Sequence, residues 1–353
     1  MIQAKIVADS KNQFGDRITT FLLTYPRIIH AEIMTHRMFS RNAASSRAVP
    51  LEKMIKSVQE NPFIPIAWQK DHKGMQGNEY LELEPVNAHG YHENQTYTID
   101  AWLSARDWAV SGVKTMNQRG EKVTKQLCNR LLEPFQWYTC LVTATEYENF
   151  FLLRCPEYSI FSENMPMTFR SRKDLLKYVK VVEADEFKNL YDDMSDLDWL
   201  AINNGQAEIH LMALAEAMWD AYNESKPKEL QPGQWHIPFV EDLTNANMEY
   251  QNETKIKIST ARCARTSYTV VGEEGKEYSY SKDIELHDRL LKSGHMSPFE
   301  HCARCMSEDE YEDHIKGVIS ARERLNGPGK DKLGWSGNFK GFIQYRKMIE
   351  NTK

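Results

Sequence analysis

The stretch Arg17–Pro26, RITTFLLTYP, followed by IIHAEIMTHRMF (28–39) and SRNAASSRAVP (40–50), decides how the chain is read. Residues 17–25 are rich in β-branched and aromatic side chains, which predicts a strand. Pro26 closes it. Ile29, Ile33, Met34 and Phe39 then predict a helix with one apolar face. Residues 40–50 are small and polar, and predict a loop that opens onto a ligand. His36-Arg37, seven residues, Ser45, and Arg47 two further on make the first chemical constellation. Arginine offers a rigid fork of donors suited to phosphate, and Ser45, Ser46 and the loop amides add neutral donors. The same residues also fit an exposed charged helix end followed by a polar turn.

Outward from this segment, residues 3–9 and 137–144 predict strands. Residues 51–61, 98–118, 121–132, 145–153, 206–222 and 283–294 predict helices, the last with Gly294 as a left-handed cap. Residues 256–268 (IKISTARCARTSY) predict a strand. Residues 63–97 are irregular, the stretch 156–205 shows no clear period, and 223–255 is the best candidate for a linker. A second constellation is Gly294-His295-Met296-Ser297-Pro298-Phe299-Glu300-His301, where a capping glycine, a proline-fixed turn and two histidines suggest a built site. A helix-to-strand corner with capping side chains would carry the same residues.

The bulk composition bounds the function. The 353 residues suffice for one large domain or two modest ones. A net charge of −6 with no basic tail argues against a nucleic-acid polymer as partner, while leaving room for a local cationic pocket. No apolar run approaches a membrane span or a signal peptide. Six cysteines in a chain this long are not a disulfide framework, so the expectation is a reduced, cytoplasmic protein (host cytoplasm if viral) with buried thiols.

Four separated blocks together resemble the flavin-dependent thymidylate synthase (ThyX) family. Thr35-His36-Arg37…Ser45 is similar to that family's Arg-His-Arg, seven residues, Ser; Glu32 stands where a Gln is usual. Ala264-Arg265-Thr266-Ser267 and His295-Met296-Ser297-Pro298-Phe299-Glu300-His301 resemble its amino-terminal blocks, and lie here at the carboxyl end. Arg130 before Leu-Leu-Glu-Pro134, Leu153-Arg154 and Gly205-Gln206-Ala207-Glu208-Ile209 resemble its later half. The order is that of a circularly permuted, phage-like variant, a rearrangement tolerated where termini lie close at the surface. Gln344 and Arg346 in the final GNFKGFIQYRK would then supply the Gln and first Arg missing near Glu32.

The resemblance implies an α/β (α+β) fold with a central, mostly antiparallel sheet packed by helices. It implies a single catalytic domain over 1–353 with 155–205 inserted, and a homotetramer with sites between subunits. It implies methylation of dUMP to dTMP with FAD, methylenetetrahydrofolate and NAD(P)H. Arg154 and His295 would be catalytic. Glu32, Ser45, Ser46, Arg47, Arg130, Arg154, Gln344 and Arg346 would bind the nucleotide. His36, Arg37, Asn42, Gln206, Ser267, Ser297 and Glu300 would line the flavin, and no metal is expected. Thr35, Thr143 and Thr145 depart from the family pattern, the last two standing where an Asn and an Arg that touch flavin are expected. Glu32 accepts hydrogen bonds only, which would favour an exocyclic amine as in dCMP; alternatively it pairs with an Arg such as Arg346. Hydroxymethyl transfer is a further alternative. From other classes, His30-Ala31-Glu32 with Cys302-Ala303-Arg304-Cys305 superficially matches a zinc deaminase, and loss of catalysis would leave a flavin- or nucleotide-binding protein.

Overall fold

The computed structural model describes residues 2–73, 77, 79–81, 93–118, 120, 122–162, 165–182, 191, 194–240, 243, 252–268, 279–314 and 335–351. The parts of 63–97, 155–205 and 223–255 that fall between these ranges lie outside the described residues. The architecture is mixed α/β. A five-stranded sheet runs in the order β3 (Ser40–Ala43), β4 (Trp137–Ala144), β2 (Arg17–Pro26), β1 (Gln3–Asn12), β7 (Lys228–Leu230). Every pairing is antiparallel except β1 with β7. β2 and β4 are buried along nearly their whole length, because both faces of the sheet are covered.

One face carries the main core. Phe21, Leu23 and Tyr25 of β2 and Val142 of β4 pack with Phe150 and Phe151 of helix Glu148–Arg154. Leu211, Leu214 and Met218 of helix Ile209–Glu224 complete it. The other face meets helix Asn252–Arg265, where Cys263 packs with Val7 and Leu141. That helix corrects the strand expected over 256–268. Ile256, Ile258 and Thr260 imitate a strand's alternation, yet the segment lies between the sheet and helix Tyr280–Ser293. Ala261 and Ala264 supply its contact with Leu286, Leu290 and Phe299. Burial on opposite sides erases the one-sided helical stripe that sequence reading looks for.

The helix expected across 28–39 shrinks to a 3-10 turn (Arg27–Ile29) and one helical turn (His30–Ile33). The Arg41 guanidinium takes the carbonyls of Ile33, Met34 and His36, with the Met34 oxygen at 2.8 Å, while the Ile33 and His36 carbonyls also accept the amides of His36 and Phe39 three residues on, so tight turns replace the continuing helical ladder. The first four residues of the expected loop form edge strand β3. Gly294 closes its helix in the left-handed conformation, φ 73°, as expected. The stretch without a clear period contains an antiparallel hairpin (Tyr158–Ser162 with Met165–Phe169) and helices Arg172–Val182 and Asp196–Ala201 around Tyr158, Leu175, Val179 and Trp199. The expected linker 223–255 contributes structure: β7 extends the central sheet, and β8 (Trp235–His236) pairs with Ala303–Cys305. Phe342–Gln344 completes this second small sheet. All six cysteines are buried and unbridged. Among the described residues no helix is long and apolar enough to cross a membrane.

Candidate functional site

The segment 32–47 is where the separated motifs meet. Arg154 ends the helix that packs under β2, and its Nε donates to His36 Nε2 at 3.2 Å. The His36 ring lies against Phe39 and Phe150. Partial burial, then the Arg154 and Arg41 charges, lower the His36 pKa to about 4, so the imidazole is neutral near pH 7 and free to accept. Glu32 stands in the same electrostatic neighbourhood. Partial burial and the nearby Glu208 carboxylate raise its pKa, and Arg154 opposes them. Among the described residues the Glu32 carboxylate has no hydrogen-bond or ion-pair partner. The pairing with Arg346 is therefore corrected: Arg346 instead joins Glu300 and Glu350.

Glu208 fixes the floor beside this group. Its carboxylate caps the helix that follows, accepting from the amides of His210 and Leu211, and also bonds His210 Nδ1. His210 Nε2 accepts from the Ile66 amide at 3.1 Å, so the ring carries its proton on Nδ1. His210 is itself buried, and the acidic N-cap two residues before it, Glu208, holds its ring.

The permuted blocks pack directly on 40–47. Asn42 donates to the Cys263 carbonyl (2.6 Å) and to Thr266 Oγ1 (2.7 Å), and its side-chain oxygen accepts from Ser267 Oγ. The Ser45 amide donates to the Ser267 carbonyl at 3.1 Å, and Ser297 Oγ donates to the Arg41 carbonyl at 2.9 Å. Asn42 is thus committed internally, holding the Ala264–Ser267 block against the loop. Buried Asn129 bonds the carbonyls of Ser46 and Val49, which ties the helix carrying Arg130 (Lys125–Leu131) to this loop. An open pocket in this region is lined by Ser45, Ser46, Gln136, Trp137, Tyr138 and Thr139. Arg37, Arg47 and Arg130 are exposed, and among the described residues none forms an ion pair.

The carboxyl-terminal residues take other places than the sequence suggested. Gln344 is buried and donates to Ser40 Oγ, the Glu300 carbonyl and Asn338 Oδ1, so it braces β3 instead of standing beside Glu32. Glu300 is held by Arg346. His295 is exposed and bonded to Ser293 Oγ, and Gln206 is exposed and bonded to the Asn204 carbonyl.

Two departures from the expected pattern find structural work. Thr143 belongs to a buried chain running Ser10–His236–Thr20–Thr143–His301, each link between 2.8 and 2.9 Å. Burial lowers the His236 pKa to about 4 and that of His301 to about 3, and His301 Nε2 has no partner. Thr145 accepts from the Lys340 amide. Both threonines therefore fasten the carboxyl-terminal segment to the sheet. Thr35 bonds the Glu32 carbonyl. His30 is bonded to Tyr25, whereas Cys302 and Cys305 are buried with Ser259 and the Leu230 carbonyl; the two halves of the deaminase-like pattern do not converge.

The sequence matches no known family description and no curated protein. Among solved structures it is similar to a UMP/dUMP methylase, PolB, from Streptomyces cacaoi. With 5-Br dUMP bound, the identity is 12%, the overlap covers 59% of this chain and 67% of that one, and the TM-score is 0.34. With 5-Br UMP bound, the identity is 14%, the coverages are 60% and 76%, and the TM-score is 0.29. Both overlaps are partial, and neither carries that enzyme's substrate over to this chain.

Proposed function

We propose that the protein alkylates C5 of a pyrimidine nucleoside monophosphate, converting dUMP to dTMP with FAD, methylenetetrahydrofolate and NAD(P)H. The observation that supports this reading is the packing of Ala264–Ser267 and Ser297 onto residues 41–45, beside guanidinium groups without anionic partners. Motif halves far apart in sequence form one neighbourhood, as a permuted chain of that family requires. The donor set suits anionic ligands: exposed Arg37, Arg47 and Arg130, with Ser45 and Ser46 as neutral donors.

In this reading Arg47, Ser45, Ser46 and Arg130 hold the nucleotide phosphate. Arg154 donates to a carbonyl oxygen of the pyrimidine and offsets negative charge developing there. His36, neutral and fixed by Arg154, with Arg37, Ser267, Ser297 and Glu300, lines the flavin. Asn42 supports that wall through Ser267. FAD, when bound, supplies the redox chemistry, and the chain supplies position and charge. His295 and Gln206 sit at the rim, Gln344 and Arg346 act from behind by bracing Ser40 and Glu300, and a homotetramer is the assembly in which the exposed arginines meet their ligands. The free carboxylate of Glu32 beside Arg154 supports a second reading, the same chemistry on dCMP, because that carboxylate accepts from an exocyclic amine.

The visible absorption spectrum of the purified protein, titrated with dUMP and then dCMP, tests both readings. A flavin band that shifts with one nucleotide names the base. A colourless protein that takes up neither FAD nor nucleotide defeats the proposal.

A further inference from the structure

Trp335–Ser336 and Phe339–Lys340 form a hairpin whose two-residue turn is Gly337-Asn338. Gly337 has φ 70°, while Asn338 has an ordinary negative φ, the arrangement of a II′ turn that suits the twist of the two strands. The turn projects the Asn338 amide onto the segment carrying the candidate ligand-binding residues. Its Nδ2 donates to the Met38 carbonyl (2.9 Å) and to Ser40 Oγ (2.9 Å), and its Oδ1 accepts from Gln344 Nε2 (2.8 Å) and Ser40 Oγ (3.3 Å). Ser40 is almost wholly buried. Both donor hydrogens and the acceptor oxygen of the amide are therefore engaged, a satisfied network that fixes one geometry.

Met38 and Ser40 lie between His36-Arg37 on one side and Arg41-Asn42 on the other. Nothing in regular secondary structure holds residues 34–39: they form turns between a single helical turn and an edge strand. Arg41 secures the amino-terminal side of these turns through the carbonyls of Ile33, Met34 and His36. Asn338, reaching across some three hundred residues of sequence, secures the other side. We propose that Asn338 is a positioning residue for the flavin site, setting the spacing of His36-Arg37 from Asn42 through Met38 and Ser40. This rests on the functional reading above.

The test uses the full chain with Asn338→Asp, which has the same shape and keeps the acceptor for Gln344 and Ser40. It replaces the donating NH2 by an oxygen facing the Met38 carbonyl. Ser336→Ala in the same hairpin is the control. The expected result is a dissociation constant for FAD raised about tenfold in N338D, read by flavin fluorescence, and unchanged in S336A. An N338D constant within about twofold of the unaltered chain overturns the positioning role and leaves the flavin reading standing. Failure of the unaltered chain to bind FAD overturns both. Should N338D not fold, amide hydrogen exchange on the unaltered chain decides. FAD is expected to slow exchange in residues 36–42 and 335–340 together, and protection of 36–42 alone overturns the inference.

Discussion

Acidification is expected to weaken this fold through two buried histidines, of which the sequence singles out only His301. His236 and His301 are wholly buried at the ends of the Thr20–Thr143 pair, with folded-state pKa values of about 4 and about 3 against 6.5 for an ordinary histidine. The burial cost of a charged ring is the cause in both, and in His301 the neighbouring His236 adds to it, while Asp9 opposes the shift in His236. Because the folded values lie below the unfolded one, the unfolded chain binds more protons between about pH 3 and 6.5. Stability from this source is fully present above pH 6.5 or so, and falls as pH falls through that window. At about pH 5 each unfolded histidine is almost fully protonated and each folded one is not, so each costs about 2 kcal/mol relative to about pH 7.5. Two such terms lower the thermal midpoint of a chain this size by about 5 °C. His301→Asn keeps a donor or acceptor for Thr143 and removes the titrating ring, so about half of this pH-dependent loss should vanish. His30 and His36, shifted downward in the same way but less buried, add to the slope and are unaffected by the variant. Calorimetric scans of both proteins from about pH 7.5 to 5 give the answer. If H301N loses as much stability over that range as the unaltered chain, the buried chain is not the source and the reasoning is refuted.

Other perturbations test the site and its supports separately. Arg154→Ala should let the His36 pKa climb from about 4 toward 6.5, since the Arg154 charge is its second cause after burial; an NMR titration showing no rise would remove the Arg154–His36 contact. Arg47→Ala should weaken dUMP binding about tenfold or more and leave deoxyuridine, which lacks the phosphate, unchanged in calorimetric titration. Equal losses for both ligands would take Arg47 off the phosphate. Glu32→Gln should lower the preference for dCMP over dUMP if the carboxylate meets the base, and competition binding that gives an unchanged ratio would place Glu32 away from it. Asp283 is fully buried between Arg265 (2.8 Å) and Arg262 (3.4 Å), so Asp283→Ala takes the carboxylate from two part-buried guanidinium groups and should cost about 3–5 kcal/mol in urea unfolding. A loss below about 1 kcal/mol would mean that solvent reaches the pair.

The sequence by itself determined the elements whose patterning is one-sided or sharply punctuated. The strands around Phe21 and Leu141, the helices ending near Arg154 and Ser293, and the left-handed Gly294 follow from β-branched runs, apolar periodicity and chain chirality, all local properties. It also exposed the motif blocks, because their residue types are unusual at those spacings. Tertiary structure decided the rest. Ile256–Arg265 is a helix because two layers bury it from opposite sides, which no local period reveals. The turn at 34–39 is set by Arg41 and Asn338, whose hydrogen bonds come from β3 and from the far end of the chain. Gln344 and Arg346 brace Ser40 and Glu300 because the terminal segment is threaded between Ala303–Cys305 and β3, not beside Glu32. Local propensity acts over a few residues, whereas a hydrogen bond spanning most of the chain is chosen only when the whole packs, and residues 36–47 depend on such bonds for their shape.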